Sequence, residues 1–139
     1  MPSTTEQNKK TVIRFNKEFI ETGNTDVFEE LIAEDVVNHS APPGSSTGAD
    51  GMVHFLKNIL RTGFPDLTVE ILNQVAEDDL VTTRKVIRAT HTGNFMGIPP
   101  TGRKVVINVI DMIRLREGKY VEHWGMSNIP EVIAQLSFS

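Results

Sequence analysis

The sequence predicts an α+β fold in which helices cover one face of a curved antiparallel sheet. Two observations carry this. Apolar residues recur at helical spacing up to about Pro65 and at period two from Asp66 onward, and helices followed by a run of strands is the α+β order. A length of 139 residues suffices for one domain with a real core and is short for two. The span 1–139 is therefore expected to be a single unit.

Each element follows from a local signal. Thr4-Thr5-Glu6-Gln7 has the pattern of a capping box, and Val12, Ile13, Phe15, Phe19 and Ile20 then recur at helical spacing until Gly23. Asn24 or Thr25 can cap a second helix that puts Val27, Phe28, Leu31 and Ile32 on one face and ends near Ala33 or Glu34. Asp35 to His39 is extended by its β-branched content, and Ser40 to Gly48 has loop composition throughout. Met52, Val53, Leu56, Ile59 and Leu60 mark a third helix, stopped around Gly63 and Pro65.

Beyond it, Leu67, Val69 and Ile71 alternate with Thr68, Glu70 and Leu72 up to a turn at Ala76 to Asp79. A strand from Leu80 to His91, a loop from Gly93 to Gly102 and a strongly apolar strand from Val105 to Leu115 come next. Glu117-Gly118 closes a tight hairpin onto a return strand, Tyr120 to Met126. A short apolar helix or turn around Pro130 to Leu136 ends the pattern. A cone-shaped pocket between helices and sheet is the natural consequence.

Composition removes several function classes. Lys plus Arg number 14 against 18 Asp plus Glu, a net charge of −4, so a nucleic-acid partner has no overall field to bind it. The absence of cysteine removes thiol nucleophiles, disulfide scaffolds and cysteine metal sites. Met1 to Lys10 is polar, and no apolar run reaches about 18 residues, so neither membrane spanning nor secretion is expected and the cytoplasm is the default. No nucleophile elbow, phosphate-cradling loop or dinucleotide fingerprint is present, and no histidine pair has metal-ligand spacing. Neither cofactor nor metal is expected.

The residues that could carry chemistry lie at the strand ends and on the last two strands. Asp111 sits in a strand apolar on both faces, so it expects burial and needs either partners or a raised pKa. Regular alternation, with Leu115 paired to Tyr120, sets Asp111 opposite Trp124, with Glu122 on the same face. Asp111 is then either an acid or base in an apolar pocket or a carboxylate fixed by backbone or by an arginine such as Arg84. His39 and His91 end strands at the mouth of the pocket and either face a ligand or anchor loops. His54 reads as a helical surface residue. His123 alternates away from Trp124 and is structural unless a bulge turns it inward.

Thr90-His91-Thr92-Gly93, Phe95-Met96-Gly97-Ile98-Pro99-Pro100-Thr101-Gly102, Ile110-Asp111, Glu117-Gly118-Lys119 and Glu122-His123-Trp124 together resemble the SnoaL-like polyketide cyclase family. The resemblance runs from the first helix to Gln135-Leu136. It implies the nuclear transport factor 2-like cone, a homodimer, and a cofactor-independent enzyme acting on an apolar, oxygenated small molecule by proton transfer next to a carbonyl. In the family's aldol cyclases a carboxylate just beyond the final strand's aromatic residue or arginine is acid and base, and aligning the Gly-Lys turn and the Gln-Leu pair puts that position on Gly125. A second family acid falls on Asn128. Asp111 stands where the cyclases have a histidine and the hydroxylating relatives an aspartate, so the catalytic candidacy passes to Asp111. His91 and Glu122 would assist, and Trp124, Arg84, His39 and Phe95 would contact substrate. Two alternatives stay open: a non-catalytic small-molecule binding module, and a ring-opening hydrolase or isomerase using Asp111 and Glu122 as a pair.

Overall fold

The computed structural model describes residues 4–137; the first three and last two residues of the expected domain lie outside the described residues. Helix α1, Thr4–Phe15, continues into a π-helical turn, Asn16–Ile20. Val12, Phe15, Phe19 and Ile20 form its buried stripe. Asn16 is buried among them and returns its Nδ2–H to the Val12 carbonyl at 2.9 Å. Helix α2, Thr25–Leu31, is capped by the Asn24 side chain, which accepts the Asp26 N–H. It stops earlier than the periodicity suggests because Ile32 and Ala33 already belong to strand β1, Ile32–Asn38.

The expected third helix is one helical stretch in three parts: α3 at Ala49–Val53, a π-helical segment at His54–Leu60 and α4 at Arg61–Gly63. Strands β2 (Thr68–Glu77), β3 (Leu80–Thr90), β4 (Lys104–Arg116) and β5 (Lys119–Ser127) follow, and α5 (Ile129–Ser137) closes the chain. The turn into β5 uses Glu117 and Gly118 with φ of 53° and 75°, the paired left-handed conformation that suits a two-residue hairpin.

The sheet order is β1-β5-β4-β3-β2. Strands β2 to β5 are antiparallel neighbours, but β1 runs parallel to β5. The sheet is therefore mixed, which corrects the expectation of a wholly antiparallel one. A parallel neighbour requires a long connection rather than a hairpin, and the helical stretch and strands between β1 and β5 provide it.

The β4–β5 ladder contains one irregularity that matters for the site. Leu115 pairs with Tyr120, whereas Arg114 pairs with Glu122. Val121 is thus an extra residue, and a bulge of one residue moves every side chain beyond it to the opposite face. His123 and Gly125 consequently pair with Ile113 and Asp111 on the inner face, and Glu122 and Trp124 turn outward.

Two aromatic groups fix the helices over that inner face. Phe15, Phe19, Phe28 and Tyr120 form one, with Phe15 and Tyr120 centroids 4.6 Å apart. Phe64, His91 and Phe95 form the other, seating the loop after β3 against α4. There the Gly93 N–H donates to the Gly63 carbonyl at 3.1 Å, and a Cβ on Gly93 would lie 1.9 Å from the Thr62 carbonyl oxygen. Backbone cannot yield as a flexible side chain can. Gly93→Ala is therefore expected to cost about 1–3 kcal/mol by overpacking, read as a lower urea midpoint at unchanged m-value.

Candidate functional site

Alternation places Val105, Ile107, Asp111, Ile113 and Leu115 in one buried row of β4, and Val81, Thr83, Lys85, Ile87 and Ala89 in the facing row of β3. Two opposite charges thus enter the interior on adjacent strands, Lys85 at 5% and Asp111 at 6% exposure. The Lys85 Nζ donates to Asp111 Oδ2 at 3.1 Å and to Asn16 Oδ1 at 2.6 Å. His123, carried inward by the β5 bulge, holds Nε2 3.9 Å from the same Asp111 oxygen and Nδ1 2.8 Å from Asn38 Oδ1. A continuous polar chain therefore crosses the inner face from α1 to β1.

This chain borders a cavity of about 770 Å³ between the sheet and the helices. Its walls are mainly apolar, with Ile20, Met52, Phe55, Leu56, Ile59 and Ile107 prominent, and Asn38, Lys85, Asp111, Tyr120 and His123 supply polar groups from β1, β3, β4 and β5. Few polar groups converging in an apolar hollow is the usual form of a small-molecule site.

Charge states follow from the surroundings. Burial pushes the Asp111 carboxyl up, but the Lys85 ammonium, and after it the His123 ring when it carries a proton on Nε2, hold it below the usual carboxylate range. Asp111 is ionised at neutral pH, which corrects the expectation of a raised pKa. Its Oδ1 is buried with no hydrogen-bond partner among the described residues. Burial, helped by the Asp111 charge, pushes the Tyr120 hydroxyl well above its ordinary range, so it remains a donor.

Of the residues given a catalytic or substrate-binding role from sequence, Asp111 lines the cavity, whereas His91, Glu122, Trp124, Arg84, His39 and Phe95 do not; His123 and His54, read as structural and as a helical surface residue, line it as well. Glu122 points outward, accepts from Arg114 Nε at 2.8 Å and pairs with His39 Nε2 at 2.8 Å. The His39 hydrogen bond, with Arg114, holds its carboxyl below the ordinary range. Trp124 is stacked on His39, centroids 4.8 Å apart and planes 11° from parallel. Both were expected beside Asp111, and the Val121 bulge is the reason they are not. An Asp111–Glu122 acid pair is thereby excluded, since the two lie on opposite faces. Arg84 lies on the outer face and donates to Asn73 Oδ1 at 2.8 Å; the partner expected of it is its neighbour Lys85. His91 and Phe95 are wholly buried, His91 with Nδ1 2.9 Å from Thr101 Oγ1 and both rings against Phe64. They anchor the loop and do not reach the cavity.

Lys85, Tyr120, Asn16 and Asn38 were missed, and His123, read as structural unless a bulge turns it inward, is turned inward by the bulge at Val121. Lys85 carried a signal, its alternation with Val81, Thr83 and Ile87. His123 needed the bulge, which no residue type announces. Among the described residues no three His, Cys, Asp or Glu side chains gather as a metal site would require, and no helix is long and apolar enough to cross a membrane.

Residues 10–136 match the family model of the SnoaL-like polyketide cyclases. Among solved structures, IdmH from Streptomyces antibioticus, a candidate polyketide cyclase, is 36% identical, with 95% of this chain and 99% of that one covered at a TM-score of 0.81. A candidate SnoaL-like polyketide cyclase from Jannaschia sp. CCS1 is 26% identical over 100% and 98%, TM-score 0.86. AclR from Streptomyces galilaeus, a candidate hydroxylase, is 27% identical over 96% and 97%, TM-score 0.84. No protein of curated function matches.

Removing one member of the buried pair leaves the other charge uncompensated. Lys85→Met is expected to lower stability by about 3–5 kcal/mol at neutral pH in urea unfolding, and Lys85→Met with Asp111→Leu to regain most of that. The depressed Asp111 pKa also sets a pH dependence. Between that value and the ordinary 3.8 the unfolded chain binds the extra proton, so the contribution is complete above about 3.8 and disappears as pH falls through the native value. Acid titration of Asp111→Asn should show a shallower loss of stability in that window.

Proposed function

The chain belongs to the SnoaL-like polyketide cyclase family, and from that premise we propose that it is an acid–base enzyme acting, without metal or cofactor, on an apolar, carbonyl-containing small molecule. One observation carries the reading: an ionised Asp111 and the His123 imidazole face each other across 3.9 Å, beside the Lys85 ammonium, within a largely apolar cavity.

Proton removal from the carbon next to a carbonyl needs a base and a donor to the oxygen that becomes negative. His123 accepts the proton, and Asp111 stabilises the imidazolium so formed. The C–H electron pair enters the enolate, whose oxygen meets the positive field of Lys85 and the Tyr120 hydroxyl. In an aldol closure the enolate carbon bonds to a second carbonyl carbon of the same molecule, and the resulting alkoxide takes the proton back from the imidazolium. No external oxidant or reductant enters. General acid–base transfer of this kind contributes about 10²–10⁴-fold.

The resemblance puts the family's aldol-cyclase carboxylate at Gly125, and Gly125 is the register partner of Asp111. On that correspondence the carboxylate is offered to the same region from β4 instead of β5, which supports the same chemical need being met by a different strand. A binding-only reading is favoured by a single observation, the Lys85–Asp111 pair, because a fixed ion pair can orient a ligand without exchanging protons.

Incubation with aryl β-keto methyl esters in D2O separates the two. Enzyme-dependent deuterium incorporation at the activated carbon is expected, reduced about 10²-fold or more in both His123→Gln and Asp111→Asn. Equal exchange by the variants would overturn the assignment, and ligand bound yet recovered without deuterium would favour the binding module.

A further inference from the structure

We infer that the fold fixes neutral His123 as the tautomer protonated on Nδ1, leaving Nε2 as the proton-accepting atom beside Asp111, and that Asn38 and Gly125 are the positioning residues responsible. The catalytic consequence rests on the proposed function; the tautomer itself does not.

The argument begins at Asn38. Its Oδ1 lies 3.0 Å from the Ser40 backbone nitrogen. A backbone N–H only donates, so the side-chain atom facing it is the oxygen and not the amide nitrogen. The same oxygen is 2.8 Å from His123 Nδ1. An amide oxygen carries no hydrogen, so Nδ1 must supply the proton. A neutral imidazole has one N–H, and Nε2, 3.9 Å from Asp111 Oδ2, is then bare. When Nε2 takes a proton it becomes a cation facing a carboxylate.

Asn38 cannot easily turn away. It is the register partner of His123. Its N–H donates to the Thr47 carbonyl at 2.7 Å, the His39 N–H donates to the His123 carbonyl at 2.8 Å, and Ser40 Oγ accepts the Gly125 N–H at 2.8 Å. Gly125 supplies the room: a Cβ there would lie 2.9 Å from Cε1 and 3.1 Å from Nε2 of His123. Any side chain at 125 would displace the ring that has to face Asp111.

His91 gives the opposite case inside the same molecule. Its Nδ1 accepts the Thr101 N–H at 3.3 Å and lies 2.9 Å from Thr101 Oγ1. That hydroxyl oxygen accepts the Arg103 N–H at 3.2 Å, so its own hydrogen is available to His91. Both donors meet Nδ1, and the His91 proton belongs on Nε2, which is buried without a hydrogen-bond partner among the described residues.

The groups around His123 that could alter its titration are Asp111 from β4, Lys85 from β3 behind it and Tyr120 on its own strand, with Glu122, His39 and Arg114 on the outer face. The test is the ¹⁵N spectrum of the imidazoles in the full-length protein through a pH titration. In the neutral forms His123 should show a protonated Nδ1 and a bare Nε2, and His91 the reverse; a neutral His123 protonated on Nε2 would overturn the assignment. Asn38→Leu should move His123 towards the Nε2–H form and lower deuterium exchange about tenfold or more, with the His91 signals in place as a check on folding. Asn38→Asp keeps the acceptor and adds a negative charge, so Nδ1–H should persist and the rising limb of the pH–rate profile should shift upward. Unchanged His123 signals in Asn38→Leu would reject the positioning role. The expected tautomer with no exchange in the unaltered protein would uphold this inference and remove the proposed function instead.

Discussion

Lys85 and Asp111 bring opposite charges into the interior on neighbouring strands, and each ion alone would cost several kcal/mol to desolvate there. They can coexist only with one another and with Asn16, which accepts a hydrogen bond from the ammonium. That requirement reaches beyond the pair. Asn16 opens the π-helical turn at the end of α1, and π-helical turns recur where a helix serves a site. The position of α1 over the sheet, and with it the space left between them, is tied to satisfying one buried ammonium.

The second determinant is where the chemistry is kept. Beyond Val121 the inner face of β5 carries His123 and Gly125, and the outer face carries Glu122 and Trp124. Outside, Glu122 joins Arg114 and His39, Arg114 also reaches Asp79, and Trp124 lies flat on the His39 ring. These contacts hold β1 against β5 and keep Asn38 at the height of His123. Inside, the polar groups are few, and Lys85, Asp111, His123 and Asn38 are tied to one another across three strands and β1, so a ligand would meet fixed dipoles in place of mobile water. The outer network supports the inner one by fixing the strand that carries Asn38.

The elements themselves were legible from periodicity. Val12, Phe15, Phe19 and Ile20 marked a helix, and the strands around Val81 and Ile107 followed from alternation, because both patterns are local consequences of backbone geometry. The interior position of Asp111 was readable for the same reason. Its partners were not. Trp124 and Glu122 were expected beside it by counting back from the Glu117-Gly118 turn, a procedure that holds only if no residue is unpaired.

What the chain's order of residues determined by itself was therefore the set of elements, the burial of one aspartate and the resemblance carried by the Gly-Ile-Pro-Pro-Thr-Gly loop. What only the folded chain decided was which groups meet that aspartate. A bulge at Val121 is settled by the twist and pairing of two strands, and the parallel seat of β1 by a strand far away in sequence. Neither leaves a local mark. Lys85, His123 and Asn38 come from three different strands, and their convergence is a property of cross-strand register, which short-range spacing does not encode.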